Sequence, residues 1–347
     1  MNPILPMSAF FQTEDELEAA LSEPTTAVIE TLRRRRGDII LLGVGGKMGL
    51  SLARMARRAS DAAGVSRRVI GVSRFSAGAE AAFNAHGIET IRCDLLNEDD
   101  VAQLPDAENV VFMTGKKFGS SDDMPSTWAM NSYLPAIVCR KFRRSRIVAF
   151  STGNVYGLTP VARGGSLESD EPEPVGEYAM SCLGRERIFE YFSRSRDIPA
   201  ALIRLNYACD LRYGVLVDLA RQVWSGQAVD LTMGHFNTIW QGDANAWMLQ
   251  AFDHAGAPPW IINVTGPELL SVRAVCGRFG RIMGKPVCFK GTESDTALLS
   301  DARRAVAQFG SPRVGADQLT EWVAHWVMRG GRQLGKPTHF ESRSGRF

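Results

Sequence analysis

The apolar run Ile39-Ile40-Leu41-Leu42 lies between Gly37-Asp38 and a cluster of glycines, which predicts a buried β-strand ending in a tight turn. Residues 47–63 then place Met48, Leu52, Met55 and Ala59 at helical spacing, and 68–73 form a second β-type run, so the segment predicts a βαβ unit. Strand-like runs recur at 89–92, 109–113, 146–151 and 200–204 with helical stretches between them. That alternation predicts an α/β protein with a doubly wound parallel sheet. Two short helices precede the first strand: Thr13-Glu14-Asp15-Glu16 reads as a capping box, and Pro24 or Thr25 opens a second helix ending near Gly37.

Beyond residue 210 the rhythm loosens. Helices are expected at 214–225, 243–254 and 271–283, and strands at 236–240 and 260–264. A last amphipathic helix at 317–328 carries Leu319, Trp322, Val323 and Trp326 on one face. We therefore divide the chain into a helical extension (1–36), a dinucleotide-type domain (37–209), a mainly substrate-binding α/β lobe (210–331) and a polar, Gly-rich tail (332–347) expected to be flexible or draped on a neighbour.

Gly43, Gly46 and Gly49 form a GxxGxxG set on the first strand-to-helix turn. Glycine adopts the backbone angles of a tight turn cheaply, and it lets a pyrophosphate approach bare N–H groups at the positive end of the following helix. Gly49 would let helix and strand pack closely, as in a Rossmann dinucleotide-binding fold. Gly45 offers a GxGxxxG reading of the same turn, so which two glycines meet phosphate stays open.

Composition narrows the function. Across 347 residues, 40 basic and 38 acidic side chains nearly balance, and no unbroken basic run is longer than Arg33 to Arg36, which suits a helix end rather than nucleic acid. Neither the six scattered cysteines nor the five histidines fall at metal-ligand spacing, so no metal is expected. The N-terminal region is acidic and helical, and no apolar run approaches membrane-spanning length. The expectation is a cytoplasmic protein with a small-molecule substrate and with neither nucleic-acid nor membrane partners.

The strand at 146–150 runs into Ser151-Thr152-Gly153-Asn154-Val155-Tyr156-Gly157, and Tyr178-Ala179-Met180-Ser181-Cys182 follows some twenty residues later. With Cys93-Asp94-Leu95, Asn131, Glu186 and Ser300-Asp301-Ala302, these residues make roughly 37–331 resemble an extended short-chain dehydrogenase/reductase of the NAD-dependent epimerase/dehydratase family. The resemblance implies a nicotinamide cofactor held by Gly43, Gly46, Lys47, Met48 and Gly49 at the phosphates and Ser73 and Arg74 at the adenosine ribose. Asp94 and Leu95 would meet adenine, Met113, Thr114 and Gly115 would lie under a ribose, and Asn131 and Tyr178 would complete the cofactor set. It implies Thr152 as the hydroxyl that polarises a substrate oxygen, Tyr178 as acid/base, and Lys116, Thr152, Asn154 and Asn206 as substrate contacts. It also implies a homodimer formed through helices at 124–142 and 177–194.

Two departures bear on mechanism. The family places a lysine four residues after the tyrosine, and here Cys182 stands there; a cation about 5 Å from the phenol would contribute ~3 kcal/mol toward its ionisation at an effective dielectric near 20. Lys116 or Lys117 could supply it from the loop after the fourth strand. Dehydratases of the family follow the hydroxyl residue with an acid and a base, whereas Gly153 and Asn154 follow Thr152, which argues against elimination of water.

The second strand ends in Ser73-Arg74, with no acidic residue for the ribose hydroxyls, so NADP(H) is favoured. NAD(H) stays open because Arg74 could equally stack on adenine. The sequence thus predicts an NAD(P)-dependent oxidoreductase or epimerase acting on a sugar-like hydroxyl or carbonyl compound. Its alternative is a catalytically impaired dinucleotide binder, a redox sensor or partner subunit, in which Cys182 marks the lost lysine.

Overall fold

The computed structural model describes residues 10–76 and 78–346. Seven parallel strands form the central sheet: β1 (Ile39–Leu42), β2 (Val69–Ser73), β3 (Glu89–Arg92), β4 (Asn109–Phe112), β5 (Arg146–Thr152), β6 (Ala200–Leu205) and β7 (Trp260–Val264). Their spatial order is β7-β6-β5-β4-β1-β2-β3, so the direction of winding reverses between β1 and β4. A crevice opens at such a reversal, at the carboxyl ends of the strands. This is the Rossmann-type α/β fold expected from the sequence.

The sheet is buried on both faces, which is why β1 and the last three residues of β4 read as unbroken apolar runs. Alternate residues face opposite layers. Ile39, Leu41, Val111, Val148 and Ile203 pack against α2 (Thr26–Arg34), α3 (Gly49–Ala62) and a later helix at 241–250. Ile40, Leu42, Val110, Phe112 and Ala149 pack against the helices at 134–141 and 176–196. The edge strand β3 carries Glu89 and Arg92 exposed, as suits an unpaired edge.

A separate apolar cluster unites α6 (Val215–Ser225), α8 (Val272–Met283) and α9 (Ala316–Met328); counting only α-helices of eight residues or more, the others after α3 are α4 (Leu134–Lys141), α5 (Gly176–Arg196) and α7 (Gln241–Gln250). Within the expected lobe, β7 and α7 depart from the reading: β7 extends the central sheet beside β6, and α7 is buried against it. An apolar run such as Ile261-Ile262, followed by Val264, does not reveal which sheet it will join.

The N-terminal extension links both layers. α1 (Glu14–Leu21) begins where the Thr13 side chain accepts from the Glu16 N–H at 3.1 Å, and its Leu17 and Leu21 enter the lobe cluster. The Glu16 carboxylate accepts from Gln12 instead of closing the box on Thr13. α2 adds Val28 and Leu32 to the sheet layer, and Arg34 and Arg35 at its end pair with Asp253. Residues 1–9 of the extension lie outside the described residues, as does Phe347.

Two further expectations change. The single helix at 124–142 is three pieces, Met124–Trp128, a π-helical turn Ala129–Tyr133, and α4. Pro135 in the first turn of α4 has no N–H to continue an uninterrupted ladder. The tail, expected to be flexible or draped on a neighbour, lies against the body of its own chain: Phe340 is 3% exposed, and Arg343 donates to the Thr296 carbonyl at 2.8 Å.

Candidate active site

The glycines of the first turn divide their work. Gly43 has φ +96° and sits so close to Thr114 that a Cβ would fall 2.5 Å from its Oγ1. A Cβ on Gly49 would lie 1.9 Å from the Val44 carbonyl oxygen, so this glycine lets α3 pack on the turn. Gly46 is different. The nearest atom to its would-be Cβ is the Gly43 carbonyl oxygen, 3.7 Å away, and the residue borders the crevice. A bare backbone there, at the start of a 14-residue helix, fits an approaching diphosphate.

A groove of about 580 Å³ runs outward from this turn and is lined by Ser73, Arg74, Asp94, Leu95, Met113, Thr114 and Gly115, all expected cofactor residues. A second cavity of about 430 Å³ shares Gly45, Gly46 and Met113 to Gly115 with it and extends over the end of β5. Lys47, Met48, Thr152, Asn154, Tyr178 and Asn206 border that second cavity. The two halves form one continuous crevice.

Thr152 closes β5 and is held in place: its Oγ1 accepts from the Asn154 N–H at 3.1 Å and donates to Asn154 Oδ1 at 3.0 Å. Tyr178 enters from the first turn of α5, and its hydroxyl is within hydrogen-bonding reach of the Thr152 hydroxyl and the Cys182 thiol. Burial drives the Tyr178 phenol well above its ordinary pKa. Cys182, 0% exposed, packs on Val155 and Tyr156, and burial raises its thiol pKa as well. It is a neutral, apolar neighbour rather than a nucleophile.

Beneath the crevice lies a buried ion pair. Arg204 meets Glu186 at 2.8 Å, donates to the Tyr156 hydroxyl at 2.7 Å, and Glu186 accepts from Ser151 at 2.5 Å. This network ties β5, β6 and α5 together directly behind Thr152. Arg204 therefore supports the site from below, while Asn206 borders the cavity and donates to Asn237 at 2.9 Å.

Two expected site residues stand elsewhere. Lys116 turns away from the cavity, with its Nζ 2.6 Å from Asp123, because that carboxylate caps the helix beginning at Met124 beside it. Asn131 is fully buried behind the crevice: its Oδ1 accepts from the Lys116 N–H and its Nδ2 donates to Ser181. It orders the loop after β4 instead of lining the groove. Trp240 is also core, edge-on to Trp322 at 5.5 Å.

Lys47 and Lys117 were among the expected residues, whereas Lys336, Thr338 and Arg185 arrive unannounced. Lys117, the neighbour of Lys116, borders the cavity with its Nζ 5.8 Å from the Tyr178 ring centroid and 3.2 Å from the Thr338 carbonyl oxygen. Lys336 and Thr338 of the tail also border it, and the Thr338 hydroxyl donates to Asp218 at 2.7 Å. Lys47 lies 3.1 Å from the Tyr213 ring centroid and 4.5 Å from that of Phe118. Burial and the neighbouring Lys117 and Lys336 lower Lys47 to a pKa of about 7, and burial lowers Lys117 to about 8. Arg185 completes the wall below Gly115. A helix spacing of 178, 182 and 185 was the only sequence signal for it; the tail residues had none.

No group of acidic, histidine or cysteine side chains among the described residues could hold a metal ion, and no described helix is long and apolar enough to cross a membrane.

The model of the NAD dependent epimerase/dehydratase family matches residues 39–209. The fold is similar to UDP-glucuronic acid 4-epimerase from Bacillus cereus in complex with NAD, at 18% identity and a TM-score of 0.70. It is also similar to the UDP-glucose 4-epimerase of Thermus thermophilus in complex with NAD (19%, 0.67) and that of Thermotoga maritima with UDP-glucose (15%, 0.68). Each alignment covers 84% of this chain and 99% of the other. No curated protein matches in sequence.

Proposed function

From the premise that this chain belongs, through residues 39–209, to the NAD dependent epimerase/dehydratase family, we propose that it is an NAD(P)-dependent oxidoreductase or epimerase. Its substrate is an anionic hydroxyl or carbonyl compound of the sugar-nucleotide class. The observation that carries this reading is the convergence of the Tyr178 and Thr152 hydroxyls at the end of β5, beside a glycine turn open to a diphosphate.

When bound, a nicotinamide supplies the hydride acceptor or donor. The chain's own residues do the rest. Thr152, oriented by Asn154, donates to or accepts from the substrate oxygen, and Tyr178 exchanges the proton at that oxygen as the carbon is oxidised or reduced. The walls exclude water because Leu205, Phe150 and Phe118 border the same cavity. With Gly153 and Asn154 following Thr152, no side chain at those positions can supply the acid and base for loss of water.

Anionic specificity is supported by Lys47, Lys117 and Lys336, which border one cavity from the glycine turn, the loop after β4 and the tail. The desolvated Lys47 and Lys117 gain most from an anion that restores their charge. The sugar nucleotides bound by the structural neighbours carry such groups. At the adenosine end, Arg74 and Ser73 border the groove with no carboxylate from the end of β2, which supports NADP(H) over NAD(H).

Fluorescence titration of the purified protein with NADH and NADPH tests the cofactor. Incubation with UDP-glucose and with UDP-glucuronic acid, read by proton NMR, tests substrate turnover. Tyr178→Phe should bind cofactor as wild type does and abolish turnover. Failure of both dinucleotides to bind overturns the proposal.

A further inference from the structure

Tyr178 is partly buried and borders the cavity, and the residue one helical turn beyond it is a fully buried, neutral thiol. We propose that Arg185 stands in for the missing ammonium, its guanidinium reaching back along α5 into the space beside Cys182, where it faces both Tyr178 and the dinucleotide groove. This inference rests on the oxidoreductase reading above and gives that site its fixed positive charge.

Positions 178, 182 and 185 share one face of α5, and helical side chains lean toward the N-terminus. Residue 185 is three positions, roughly 4.5 Å of axial rise, beyond residue 182, a distance that the long arginine chain spans. The observed contacts place its head group between the end of β5 and the loop after β4. Nη1 donates to the Phe150 carbonyl in β5 at 2.8 Å, two residues before Thr152, and Nη2 donates to Asn131 Oδ1 at 2.8 Å. Nη2 also lies 2.8 Å from where a Gly115 Cβ would stand, so the guanidinium forms the floor of the loop that borders both halves of the crevice. The side chain is buried, and no acidic partner within salt-bridge distance neutralises it among the described residues. Its charge favours ionisation of both Tyr178 and Cys182.

Lys117 is the competing cation, with its ammonium 5.8 Å from the Tyr178 ring centroid. It approaches from the substrate side and donates to the Thr338 carbonyl of the tail, whereas Arg185 lies under the ribose loop. A guanidinium also remains charged at every pH at which the protein is folded, and a lysine does not.

The test uses Arg185→Met, Arg185→Lys, Lys117→Met and the double variant Arg185→Met with Cys182→Lys. NADPH and NADH affinities are measured by fluorescence from pH 6 to about 11, alongside thermal unfolding. Wild type should lose only the part of its affinity that Lys47 and Lys117 supply as they deprotonate near pH 7 and 8, with no further loss at higher pH, and Arg185→Met should bind roughly 10- to 100-fold more weakly throughout. The double variant, with a lysine grown into the vacated space, should recover affinity at neutral pH and lose it as that lysine deprotonates. Its unfolding temperature should stay low, because the bonds to Asn131 and Phe150 are not restored; that separates charge from scaffolding.

Arg185→Lys, the variant least prone to misfold, should show the same alkaline loss of affinity. Wild-type affinity in folded Arg185→Met, no recovery in the double variant, a pH profile in Arg185→Lys that matches wild type, or a loss confined to Lys117→Met would each overturn the inference. Absence of dinucleotide binding by wild type would instead overturn the functional reading on which it rests.

Discussion

Two alanine substitutions three residues apart should separate folding from cofactor binding. A Cβ on Gly49 lands 1.9 Å from the Val44 carbonyl oxygen, a backbone atom that cannot rotate away, so α3 must move outward by roughly 1.5 Å to reach van der Waals contact. Overpacking of this kind costs about 1–3 kcal/mol. Gly46→Ala meets no atom closer than 3.7 Å and its φ is not positive, so the fold should hold its stability or gain about 0.4–1 kcal/mol from a less flexible unfolded chain. The methyl group nonetheless stands where a diphosphate would approach the N-terminus of α3. Losing one or two charge-assisted N–H contacts, at about 1.5–3 kcal/mol each, weakens dinucleotide binding by roughly tenfold or more. Urea unfolding and fluorescence titration with NADPH and NADH measure the two effects. If Gly46→Ala binds as wild type does, or if Gly49→Ala is as stable as wild type, the division of labour in the turn is wrong.

Three further outcomes are expected. Arg204→Met leaves Glu186 buried without its 2.8 Å partner and should destabilise the protein by about 3–5 kcal/mol in urea unfolding, while Arg204→Met with Glu186→Met should recover much of that loss. Lys47 and Lys117 have pKa values lowered by burial to about 7 and 8, so affinity for an anionic probe such as UDP should be full below pH 7 and fall as pH rises through 8; folding stability should move oppositely, since the unfolded chain retains protons up to the ordinary lysine pKa. Analytical ultracentrifugation should show a homodimer that Tyr191→Glu disrupts, because Trp128, Tyr133, Met180 and Tyr191 leave apolar surface exposed on the helical segments expected to pair, with Tyr191 63% exposed; an unchanged sedimentation profile would refute that interface.

By itself the sequence determined the sheet and the turn at its centre. Runs such as Ile39 to Leu42 are apolar at every position because both faces of a parallel sheet are covered, and Gly49 answers a local steric demand of the turn, from the Val44 carbonyl, whereas the crowding at Gly43 comes from Thr114 after β4. Thr152 and Tyr178 were legible for a similar reason: each sits at a defined point of one element, the end of β5 and the first turn of α5. The tertiary structure alone decided what surrounds the phenol. Lys116 and Lys117 are adjacent and chemically identical, yet one pairs with Asp123 and the other borders the cavity, because loop geometry aims successive side chains in opposite directions. The tail reads as polar and unstructured, but Phe340 finds a hole between distant helices and draws Thr338 over the crevice. Charge at a buried site depends on which side chains converge there from remote parts of the chain, and no local pattern encodes that convergence.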